Sequence, residues 1–185
     1  MPDLDSTVGG ASANSFASID DADLYLDARL NASAWTGASD DDKARGLIEA
    51  SRDLSALEPQ LQGYRTDAVQ ALCWPRRYVI NTKAPITATL GVTGYPEYAD
   101  DIIPTDWVSA TIELAFEYLK AGDTDVAALD TDQAILQETV GPITTRYAAP
   151  ATFVVTATGL AEFPRVLALV QPFLEGGGGL AVIRS

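Results

Sequence analysis

Gln70-Ala-Leu-Cys-Trp-Pro-Arg76 is the stretch on which the fold turns. Asp67–Cys73 reads as a short helical run that meets Trp74-Pro75. Proline excludes the preceding residue from the α region and has no N–H to donate, so the run must stop there. A large indole is pinned at the stop, and Arg76 and Arg77 follow it directly. Trp74 is expected as an anchor, in its own core against the first two helices or in a neighbouring subunit, with own-core packing favoured for an indole. Arg76 and Arg77 are then expected to face acidic surface, and reversing Arg76 to Glu to impair assembly more than folding.

Outward from this point, helices are marked by caps and periodicity. Ser18 precedes Asp20, Asp21 and Asp23, acids that favour a helix N-terminus, and Ile19, Ala22, Leu26 and Leu30 keep helical spacing. Asn31–Gly37 reads as a linker holding Trp35. Ser39-Asp-Asp-Asp42 opens a second helix to about Leu57, with Ala44, Leu47, Ile48, Ser51 and Leu54 or Leu57 as its buried stripe. Pro59 ends it, and Gln60–Thr66 reads as a loop. Thr105 opens the most strongly periodic helix, with Trp107, Ala110, Leu114, Ala115, Tyr118 and Leu119 on one face and a stop near Gly122. Trp107 and Leu114 are expected to be well buried. Pro164–Leu174 reads as a separate short helix.

Between these lie β-prone pieces. Residues 78–103 form a long excursion with a loose hairpin. Ala134–Thr139 and Ile143–Tyr147 flank Val140-Gly141-Pro142 as a strand pair or one bent strand, and Thr152–Thr156 adds another β-prone run. The fold class is mainly α: a small bundle of three to four helices with a hairpin-like excursion and an extended C-terminal tail. Residues 1–14 are expected as a flexible arm, 15–175 as one domain with a β-rich segment at 134–157, and 176–185 as a tail hinged on Gly176–Gly179.

Composition narrows the chemistry. The 185 residues hold no His and one Cys, so zinc sites of the N/S type and Ser-His-Asp or Cys-His catalysis are excluded. The acidic run Asp40–Asp42 lacks EF-hand spacing and reads as a helix start. No glycine-rich phosphate loop is present, and neither enzymatic activity nor a cofactor is expected. The N-terminal residues lack a signal peptide's basic and apolar regions, and no membrane-spanning run occurs. Net charge is −14 and uneven. Residues 1–60 hold 12 acids and 4 bases, and residues 101–140 hold 9 acids and 1 base; residues 61–100 hold 3 acids and 4 bases. Such a surface is expected to repel phosphate, so tight DNA binding is not expected.

Together these segments resemble the head–tail connector (adaptor) proteins of tailed bacteriophages, of the group sometimes labelled DnaT-like. The resemblance is carried by Asn14–Tyr25, by Trp35 with Asp42-Lys43 and Leu47–Ser51, and by Gly63-Tyr-Arg65. It continues through Gln70–Arg76, Ile103-Pro104, Ala110–Ala115, Glu138–Ile143 with Tyr147, and the closing Val-Ile-Arg-Ser185. It implies a structural virion protein at the neck, assembled in the host cytoplasm. Copies would form a dodecameric ring on the portal protein and meet a tail-side or stopper protein. DNA would pass through the ring's channel without tight binding, with the acidic residues lining either that channel or the outer rim. The residues themselves mark the interface candidates: Trp74, Arg76 and Arg77 at the helix stop and, on the apolar tail after the four glycines, Leu180, Val182, Ile183 and Arg184. The alternative is a DnaT-like single-stranded-DNA-binding replication accessory protein. Such proteins combine a basic groove with stacked aromatics, and here the aromatics do not read as interleaved with bases.

Overall fold

Thr105–Ala121 (α4) is the element around which the rest is built. Asp106 in its first turn and Lys120 in its last complement the helix dipole, and Gly122, at φ +66°, ends it by returning its N–H to the Tyr118 carbonyl. Trp107, Ala110, Thr111, Leu114 and Ala115 are fully buried, and Ile112, Glu113 and Phe116 nearly so. A helix covered on more than one side must lie at the centre of its domain. The computed structural model describes residues 2–89, 92–122, 137–140, 143–146 and 160–175.

The other helices pack onto α4. Ile19–Asp27 (α1) begins with a full capping box: the Ser18 hydroxyl accepts from the Asp21 N–H and the Asp21 carboxylate accepts from the Ser18 N–H. Ala22 and Leu26 are buried. Leu30 was expected on the same face, but the helix stops at Asp27 and Asn31 turns with φ +63°, which leaves Leu30 87% exposed. The presumed linker holds a single helical turn, Ser33–Thr36 (α2), that buries Trp35 and lets its indole N–H donate to Asp23 Oδ1 at 2.6 Å. Asp40–Ser55 (α3) is capped by Ser39, whose hydroxyl accepts from the Asp42 N–H. It buries Ala44, Leu47, Ser51 and Leu54, with Leu57 just beyond.

Three two-stranded antiparallel ribbons complete the described chain. Tyr64–Arg65 (β1) pairs with Arg76–Arg77 (β2), Thr87–Thr89 (β3) with Val92–Gly94 (β4), and Gln137–Val140 (β5) with Ile143–Arg146 (β6). The second ribbon is the hairpin expected within residues 78–103, and the third is the expected strand pair. The first was missed, and the helical run expected at Asp67–Cys73 is a succession of turns. The mainly α class stands.

Pro164–Val170 (α5) is not a separate helix. It buries Val166 and Val170 and leads into a 3₁₀ turn, Gln171–Phe173, whose Phe173 enters the core. There Phe16, Trp74, Trp107 and Phe173 meet with ring centroids 5.4–5.9 Å apart, mostly edge to face. Trp74 is thus anchored in its own core, but on α4 and the C-terminal turn. Residues 2–14 are not a free arm over the part described. The Asn14 side chain bridges Asp5 and Asp3, the Ala71 N–H donates to the Gly10 carbonyl, and Ala13 is buried. The tail from Gly176, with Leu180, Val182, Ile183 and Arg184, lies outside the described residues, as does Thr152–Thr156.

Candidate nucleic-acid interface

The first ribbon, two residues on each strand, is held by side chains as well as by ladder bonds. Gly63 turns with φ +69°, and a Cβ there would lie 1.9 Å from the Arg77 carbonyl oxygen, so only glycine fits. Arg76, 3% exposed, runs beneath the turn. Its guanidinium donates to the carbonyls of Gln62 (2.8 Å), Gly63 (2.7 Å) and Cys73 (3.2 Å). Glu58 lies 3.6 Å away and receives Arg65 as well. That Arg65 hydrogen bond holds the Glu58 carboxyl below the usual carboxylate range. Gln70, also buried, donates to the carbonyls of Leu72 and Pro75 and accepts the Asp67 N–H. Burial pushes the Cys73 thiol up to about 12. The stretch around the cis Trp74-Pro75 bond is therefore an interior knot of satisfied carbonyls.

What this knot presents outward is aromatic. Tyr64 is 73% and Tyr78 64% exposed, with centroids 6.3 Å apart and planes at 81°. In such an edge-to-face pair only one of the four ring faces is covered by the partner ring. Tyr78 holds φ +62°, a conformation that costs a bulky side chain energy and clusters at functional sites. Arg77 faces Tyr64 directly across the ribbon and so shares its side. Its Nε lies 3.1 Å from Asp100 Oδ2, both side chains about half exposed. Nearby in sequence, Lys83 pairs with Asp106 on the surface.

Of the residues expected at an interface, Trp74 and Arg76 are interior and Arg77 is on the surface. Tyr64 and Tyr78 were overlooked. The signal was present as Gly63-Tyr-Arg65 and Arg76-Arg-Tyr78, but the aromatics and bases interleave only when the two segments pair. The expectation that they do not interleave is corrected at one base, Arg77, which the ribbon sets beside Tyr64 and Tyr78. Among the described residues no group of three or more His, Cys, Asp or Glu could hold a metal ion, and no helix is long and apolar enough to cross a membrane.

Comparison with known proteins overturns the connector expectation. A family model described as "Putative DnaT-like ssDNA binding protein" matches residues 4–185. With the connector go the virion role, the ring on a portal, the stopper partner and passage of DNA without binding; the DnaT-like label given as the alternative is what the match supports. The charge reasoning failed because net charge is a sum over a whole surface, whereas a ligand feels charges within about 8–10 Å at ordinary ionic strength. No curated protein and no solved structure matches the chain. The match runs from the N-terminal segment that lies on the domain to the last residue, through the Tyr64–Tyr78 ribbon, and the chain belongs to this DnaT-like ssDNA-binding protein family.

Proposed function

We propose that this protein binds single-stranded DNA without catalysing a reaction on it, using the ribbon as a base-stacking platform. The observation that carries the reading is the exposed edge-to-face pair Tyr64–Tyr78 with Arg77 on the same side. Unpaired bases stack on open aromatic faces whatever their sequence. Arg77 supplies a planar cation for the adjoining phosphate. Its pairing with Asp100 is between half-exposed groups and is weak enough to be exchanged. Duplex DNA hides its base faces, so the platform distinguishes single strands from double.

Fluorescence anisotropy with a labelled oligo-dT tests this. Binding is expected, with the matching duplex weaker. Tyr64→Ala and Tyr78→Ala should each cost about 1–3 kcal/mol, or about 5- to 150-fold in affinity. Both residues are exposed, so the variants should keep their circular dichroism. Absent single-strand binding at low salt, or unchanged binding in both variants, sinks the reading.

A further inference from the structure

Away from the ribbon, a cleft of about 690 Å³ opens where the end of α1 meets α4 and the start of α5. Three of the chain's 12 Lys and Arg residues, Arg29, Lys120 and Arg165, line it. Its floor is Phe116, 2% exposed. The Arg29 guanidinium lies over that ring at 4.6 Å from the centroid, and Lys120 Nζ at 5.5 Å. Glu113, 4% exposed, accepts from the Tyr25 hydroxyl at 3.0 Å and from Arg29 Nη1. Arg165 Nη1 stands 3.9 Å from the same carboxylate.

A buried carboxylate needs such partners. Arg29 and Tyr25 suffice for Glu113, and the result is a guanidinium held over an aromatic ring. Of its five N–H donors, one nitrogen is engaged among the described residues. Lys120 and Arg165 are not accounted for this way. The Lys120 side chain is 48% and that of Arg165 68% exposed. Their pairings, an exposed i,i+3 pair with Glu117 and a 3.9 Å approach to Glu113, contribute little to stability. The cleft lining thus sets three cations against one carboxylate, Glu113, with Glu117 beside Lys120, in a chain of net charge −14. Its volume suits a small organic ligand.

We propose that this cleft binds a phosphate monoester carried on a nucleoside. The phosphate lies between Arg165, Lys120 and the unengaged edge of Arg29, whose fork matches phosphate geometry. The nucleoside lies along Tyr25 and Leu30, both exposed on the cleft wall. A free mononucleotide and the 5′-phosphate end of a DNA strand share this chemistry.

Isothermal titration of the full chain with thymidine 5′-monophosphate tests the proposal, with thymidine as control. Saturable binding of the monophosphate and none of thymidine is expected. Arg165→Glu and Lys120→Glu, both on exposed side chains, should each weaken it at least tenfold with unchanged circular dichroism. A 5′-phosphorylated oligo-dT that competes better than its 5′-hydroxyl form and better than the monophosphate identifies a strand end as the ligand; parity with the hydroxyl form identifies the free nucleotide. Absent monophosphate binding, or binding unaltered in both charge reversals, overturns the proposal. The double variant Tyr64→Ala/Tyr78→Ala should retain monophosphate binding while losing oligo-dT, so failure at the cleft and failure at the ribbon read out separately.

Discussion

Arg76 and Arg77 are neighbours in sequence with opposite fates. The guanidinium of Arg76 closes three carbonyls in the interior, so Arg76→Glu should unfold the domain rather than spare it. Arg76→Ala leaves those acceptors and Glu58 without their partner and should cost about 3–5 kcal/mol, measured as a lowered urea midpoint. This reverses the expectation that Arg76 bears on assembly more than folding. Among the described residues the Arg77 guanidinium pairs only with Asp100, at the surface. Removing that competitor frees the cation for phosphate, and Asp100→Asn should tighten oligo-dT binding by about two- to fivefold, the worth of an exposed ion pair. Unchanged or weakened anisotropy would remove Arg77 from the interface. Sequence alone could not part the two arginines. What buries Arg76 is a set of carbonyls from Gln62, Gly63 and Cys73, which meet only when two-residue strands pair, too short a match to leave a periodic trace.

Elements long enough to show periodicity were legible. The capping serines of α1 and α3 sit where the sequence places them, and the α4 stripe is buried from Trp107 to Ala115. Length ran out at α2 and at the first ribbon, where one turn or two residues carry no pattern. The α5 segment was found but misplaced, because a short apolar helix does not announce which core it joins. Within α3, Gly46 faces Ala115, and a Cβ there would meet its carbonyl oxygen at 3.5 Å, an ordinary contact. Gly46→Ala should therefore raise stability by about 0.5–1 kcal/mol through helix propensity, visible in the thermal midpoint. A drop would mean that α3 and α4 approach too closely for a methyl group. The segment after α3 carries a pH dependence. Arg65 lowers the Glu58 carboxyl in the folded state, so its contribution is present above the usual 4.5 and lost as pH falls through the lower folded value. Glu58→Gln should reduce stability at pH 7 and flatten its loss below about pH 4.5. Parallel acid limbs for the two proteins would assign the acid loss to other carboxylates.

At the scale of the whole molecule, an acidic protein with an aromatic platform should bind single strands in an unusual way. Binding through a basic groove loses affinity steeply with salt, by about 0.7 in log K per log salt for each phosphate neutralised on a single strand. With Arg77 as the main phosphate partner on the ribbon, the slope should lie near −0.7. The acidic segments 1–60 and 101–140 repel the strand, and salt screens that repulsion, which flattens the slope further. Anisotropy titrations between 50 and 300 mM salt would measure it. A slope near −4 would require a basic groove of some six contacts in place of the stacking platform.

The burial of the single cysteine makes this protein convenient to instrument. Cys73 is fully buried with its thiol pushed up to about 12, so thiol-directed dyes should pass it by in the folded state. A cysteine introduced at Glu175, which is exposed, would then take the dye by itself. Its backbone N–H is hydrogen-bonded to the Gln60 carbonyl at 2.7 Å, and Gln60 stands at most about 14 Å of chain from Tyr64. A fluorophore there would report, in real time and without labelled DNA, whether a strand has arrived on the tyrosines.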